Sequence, residues 1–147
     1  MRKLVIAISM LAFAGSAALA DPILDRQALM KDRGKIVGGL SKVVKGEEPY
    51  DAAAVLTQLQ ALQANAEKFD TDVETLFPAG SDTGDTTAAP KIWEDMAGFK
   101  TAEQKYLADV KAAVAAAPAD VDSLKAQFGT IASNCGTCHQ SYRIKKG

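Results

Sequence analysis

From Ile23 to Val44 the apolar residues recur at helical spacing. Ile23, Met30, Val37 and Val44 repeat every seven residues, Leu29, Ile36 and Val43 form a parallel row, and Leu40 lies between them. This predicts a helix with one broad apolar face. Gly34, Gly38 and Gly39 weaken it intrinsically. Small residues there suit close approach of another helix or a flat ligand, and equally suit a loose helix. Lys45-Gly46-Glu47-Glu48-Pro49 ends the element. Asp51 is a good N-cap for a second helix. Within it Val55, Leu59, Leu62, Ala66, Phe69, Val73 and Leu76 alternate steps of four and three, the stripe of a bundle helix, and Phe77-Pro78 stops it.

Ala79 to Ala89 is polar and turn-forming throughout, a loop with no metal-binding pattern. Pro90 suits the first turn of a third helix, whose apolar face is Ile92, Met96, Phe99, Tyr106, Val110 and Ala113. Gly98 interrupts this helix, and Pro118 ends it. A fourth helix begins at Asp120 or Asp122. Its stripe is Val121, Leu124, Phe128, Ile131, Cys135, Cys138 and Tyr142. Four helices, short connections and no credible strand predict an all-α fold, an antiparallel four-helix bundle.

The fourth stripe carries the chemistry. Cys135-Gly136-Thr137-Cys138-His139 is a C-x-x-C-H pentapeptide, the pattern of covalent c-type haem attachment. Two thiols add across the haem vinyl groups, and the adjacent imidazole binds the iron from one side. Cys135 and Cys138 continue the buried stripe, so a haem attached there points into the bundle, and His139 lies one turn after Cys135. The chain has 2 cysteines and 1 histidine, all in this motif. A zinc site takes four protein ligands, or three and a water, and Cys135, Cys138 and His139 lie too close together to enclose zinc without help from elsewhere. A thioredoxin-type pair would sit at a helix start after a strand.

The first residues change the compartment. Met1-Arg2-Lys3 is basic, Leu4 to Ala14 is apolar, and Ala18-Leu19-Ala20 is an A-x-A cleavage site. Residues 1–20 read as a cleaved secretory signal peptide and 21–147 as a single domain. Bacterial c-type haem is attached outside the cytoplasmic membrane, so the expected location is the periplasm. No later stretch is long enough to span a membrane. Removing Arg2 and Lys3 from the 17 basic residues leaves fifteen against 18 acidic ones, a formal charge of −3. That balance lacks the basic patch nucleic acid requires.

The order of these features resembles the class II c-type cytochromes, comprising cytochromes c′ and their low-spin relatives of the c-556 type. The resemblance covers essentially the whole mature chain. It rests on Arg26-x-x-x-Met30, Lys45-Gly46-x-x-Pro49-Tyr50-Asp51, Pro90-x-Ile92-Trp93 and Cys135-x-x-Cys138-His139-x-x-Tyr142-Arg143. It implies one covalently attached haem c on Cys135 and Cys138, with His139 as proximal iron ligand. Arg26 would lie near a haem propionate, and Arg143 on the proximal side, where its charge would raise the potential. Met30 occupies the family's distal position.

Outside the signal peptide the only methionines are Met30 and Met96, and Met96 matches no ligand position. Met30 on the iron would give a low-spin carrier that performs no reaction of its own and docks transiently on redox protein partners. Met30 unligated would give a five-coordinate, high-spin haem that binds nitric oxide or carbon monoxide. The resemblance also allows a homodimer through the first two helices.

Overall fold

The computed structural model describes residues 21–145. The signal peptide expected over residues 1–20 lies outside the described residues. The helices are α1 (Pro22–Lys45), α2 (Ala52–Leu76), α3 (Lys91–Glu94), α4 (Met96–Ala116) and α5 (Val121–Tyr142).

Local chemistry sets the helix ends. Asp21 caps α1, accepting from Ile23 N–H at 2.9 Å and Leu24 N–H at 3.3 Å, with Pro22 in the first turn. Gly46 closes α1 in the left-handed region at φ +76°, its N–H returning to Lys42 and Val43 carbonyls. Asp51 caps α2, as expected, through Ala54 N–H at 2.7 Å. Asp120 begins α5 with a reciprocal capping box to Ser123.

The third helix differs from the expectation. It breaks at Asp95, not at Gly98, leaving the single-turn α3 before α4. Asp95 leaves helical geometry at φ −139° and ψ 55°. Its side chain accepts from Gly98 N–H at 3.1 Å, so Asp95 acts as the α4 cap. Gly98 lies inside α4.

α1 packs on α2 and α5, and α4 packs on α2 and α5, which closes the four long helices into a bundle. The core is divided. One cluster is mainly aliphatic, with Leu40, Leu59, Leu62, Val110, Leu124 and Ile131 at its centre. The other is aromatic-rich: Phe69, Phe77 and Phe99 with Val73, Leu76 and Ile92. Phe77 stacks edge-on to Phe99 at 4.9 Å between centroids. Cys135 packs on the aliphatic cluster and Cys138 on the aromatic one, so the motif spans the division.

The loop from Ala79 to Ala89 is held against the end of α5. Ala89 N–H donates to Tyr142 carbonyl at 3.0 Å, and Ile144 N–H to Thr87 carbonyl at 2.8 Å. The result is an isolated bridge between Ala88 and Arg143. No helix among the described residues is long and apolar enough to cross a membrane.

Candidate haem-binding site

Between the two core clusters lies a cavity of about 520 Å³, within the range of small-molecule and cofactor sites. α5 lines it with Cys135, Cys138 and His139, joined by Arg143 just past its end; α1 contributes Arg26, Met30, Arg33 and Gly34. Phe69, Phe77, Ile92 and Phe99 supply apolar wall. Every residue singled out in the sequence as a site candidate therefore faces one space. Met96 packs against the aromatic cluster but is not part of the wall.

The thiols are free and half-buried. Burial pushes both up, Cys138 to about 11, with Glu103 adding to the rise. His139 sits at the open edge of the cavity. Partial burial, Arg143 and Arg33 together lower its pKa and favour neutral imidazole, the metal-binding form.

Arg26 is 4 % exposed, and protein oxygens occupy most of its guanidinium. Nη1 donates to Leu76 carbonyl and Ser81 Oγ, both at 2.9 Å. Nη2 donates to Ser81 carbonyl at 2.5 Å and to Thr86 Oγ1 at 2.8 Å. The same group lies 4.8 Å from the Phe77 ring centroid. Arg26 thus ties α1 to the 76–86 segment at the cavity mouth. The sequence pattern did not anticipate this role.

A charged cluster in the wall was also not anticipated. Arg33 meets Glu103 in a two-point pair, Nη1 to Oε2 at 3.0 Å and Nη2 to Oε1 at 2.6 Å. Arg33 Nε donates to Asn65 Oδ1 at 2.9 Å. The guanidinium lies 4.3 Å from the Tyr106 ring centroid. The Tyr106 hydroxyl, on a residue 3 % exposed, has no hydrogen-bond partner among the described residues.

These features coincide with those of known proteins. A family model described as Cytochrome C' matches residues 21–143. The chain belongs to the cytochrome c′ family. A cytochrome c-556 of Agrobacterium fabrum is 39% identical over 133 residues, 90% of this chain and 88% of that protein. A cytochrome c' of Rhodopseudomonas palustris is 39% identical over 132 residues, 89% and 87% of the two chains. Among solved structures, cytochrome c' from Rhodopseudomonas palustris superposes with a TM-score of 0.79 at 39% identity, covering 87% of this chain and 99% of that one.

As a cytochrome c′ family member the chain binds haem c, and Cys135 and Cys138 are present for covalent attachment. The residues fit that group. Both thiols face the cavity, the walls are largely apolar, and the Tyr106 hydroxyl is a buried polar atom with no partner among the described residues.

Proposed function

We propose that this cytochrome c′ family protein is a periplasmic electron carrier in which His139 and Met30 are the two axial iron ligands. The observation that carries the reading is that Met30, from α1, lines the same cavity as Cys135, Cys138 and His139, from α5. Met30 is the only methionine of the wall among the described residues. When bound, the haem supplies a one-electron ferric–ferrous couple, and Met/His ligation favours the reduced state.

The chain's own residues do the rest. Cys135 and Cys138 hold the group covalently. Phe69, Phe77, Ile92 and Phe99 exclude water from it. Arg143 places a positive charge beside His139 and disfavours the more positive oxidised form. Four of the five N–H donors of Arg26 are taken by protein oxygens, so a propionate has the Nε–H and the charge. No reaction beyond electron transfer is assigned. Periplasmic location is supported by the signal-peptide pattern of residues 1–20 and by a family match that begins at Asp21.

A second reading has its own support. A mutant cytochrome c prime from Alcaligenes xylosoxidans, 34% identical with a TM-score of 0.72, has been solved as a nitric oxide complex. By analogy, Met30 would stand unligated and the iron would bind small gases. Optical spectra of the purified ferric and ferrous holoprotein decide. A low-spin spectrum with a thioether-to-iron charge-transfer band supports Met30 ligation, and Met30→Ala should then become high-spin. A high-spin wild-type spectrum with ready carbon monoxide binding would establish the gas-binding reading instead.

A further inference from the structure

Covalent haem attachment does not require an ion pair inside the cavity. Arg33 is 7 % exposed and Glu103 4 %. Desolvating two charges is costly, and well-packed apolar residues often serve stability as well or better. Yet this pair is fully held. Glu103 takes both Nη groups of Arg33, Asn65 takes Nε, and Asn65 Nδ2 donates in turn to Leu29 carbonyl at 3.0 Å. Leu29 directly precedes Met30.

The pair stands in the same cavity wall as Cys135, Cys138 and His139. Burial also keeps salt from screening them.

We infer that Arg33 raises the reduction potential of the haem from the buried side of the cavity, and that Glu103 is the counter-charge limiting the rise. Oxidised haem carries one more positive charge than reduced haem, so a fixed cation beside it disfavours oxidation. Removing Glu103 leaves Arg33 unopposed, because a guanidinium remains charged when buried. Removing Arg33 leaves a carboxyl that opposes oxidation less. The inference rests on a redox-active haem filling this cavity and does not depend on which group is the sixth ligand.

The test is a spectroelectrochemical titration of the purified holoprotein as wild type, Glu103→Gln and Arg33→Met. Glu103→Gln should raise the midpoint potential and Arg33→Met should lower it. Each change should be about tenfold in the ferrous-to-ferric ratio at fixed applied potential, or 59 mV for one electron. Shifts in the same direction, or no shift in either, would overturn the inference and leave the pair a packing device. Glu103→Gln is nearly isosteric and stands alone if Arg33→Met fails to fold: an unchanged or lowered potential there overturns the inference by itself. The spectrum of the wild-type sample reports the Met30 ligation separately, so the two readings fail independently.

Discussion

The Tyr142 hydroxyl donates to Asp95 Oδ2 at 3.2 Å, joining the last turn of α5 to the cap of α4. Tyr142 lies three residues after His139. Its ring meets Phe99 edge-on at 5.2 Å between centroids. The contact therefore registers the helix end that carries the imidazole against a helix whose start is fixed by the same aspartate. Gly98 makes the approach possible. A Cβ there would stand 2.5 Å from Asp95 Oδ2 and 2.7 Å from the Tyr142 hydroxyl.

Gly98→Ala should consequently destabilise the protein by about 1–3 kcal/mol, overpacking outweighing the helix propensity gained. Gly129→Ala is the contrast. Gly129 is exposed on α5, and a Cβ there meets nothing within 4 Å. It should stabilise by about 0.5–1 kcal/mol. Denaturant unfolding of both variants checks the opposite signs; a shared sign would mean that the contacts at Gly98 do not constrain it.

Arg26→Met should loosen the segment that Arg26 holds. Leu76 and Ser81 carbonyls lose a charged donor at once. A cost of about 2–4 kcal/mol is expected, with faster proteolytic cleavage between Ala79 and Ala89. Arg26→Lys should recover only part, since an ammonium cannot reproduce the planar fork. Limited proteolysis followed by mass mapping reads the loop directly. Unchanged cleavage there would show that the bridge to residues 143 and 144 holds the loop without Arg26.

The apolar stripes were legible in the sequence where they were purely apolar. All seven stripe positions of α2, from Val55 to Leu76, are buried. Cys135 and Cys138 continue such a stripe and face the cavity. Charged residues on a stripe escaped the hydrophobic pattern: Arg26 stood out only through the family resemblance, and Arg33 and Glu103 not at all. Arg26, Met30, Arg33, Val37 and Leu40 alternate steps of four and three, and Glu103 fills the gap between Phe99 and Tyr106. Hydrophobic patterning discards such positions, because it treats charge as a mark of exposure. The break at Asp95 was missed for a related reason. Gly98 is the weaker helix former, but Asp95 can replace a backbone partner with its own carboxylate.

Acid should weaken the start of α5 through Asp120. Hydrogen bonds from Ser123, backbone first and hydroxyl second, hold the Asp120 carboxyl below its ordinary range. A folded-state pKa below the unfolded one contributes stability that is complete above about pH 4 and disappears as pH falls through the folded value. Asp120→Asn keeps a capping side chain but has no such proton to gain. The wild-type unfolding midpoint should therefore fall more steeply than that of Asp120→Asn between about pH 5 and pH 2. Parallel pH profiles would remove Asp120 from the acid response.

Arg143 and Arg33 should be distinguishable by salt. Arg143 is exposed at the end of α5, and its charge reaches His139 from the solvent side. Arg143→Ala should lower the haem potential, since a cation beside the imidazole is lost. The screening length falls from about 30 Å at 0.01 M salt to about 3 Å at 1 M, so the Arg143→Ala shift should shrink markedly over that range. The Arg33→Met shift should persist, because solvent ions do not reach a side chain only 9 % exposed. Midpoint potentials of both variants at the two ionic strengths make the comparison. An Arg143→Ala shift that survives high salt would mean that Arg143 acts through hydrogen bonding or helix-end geometry, not through its charge.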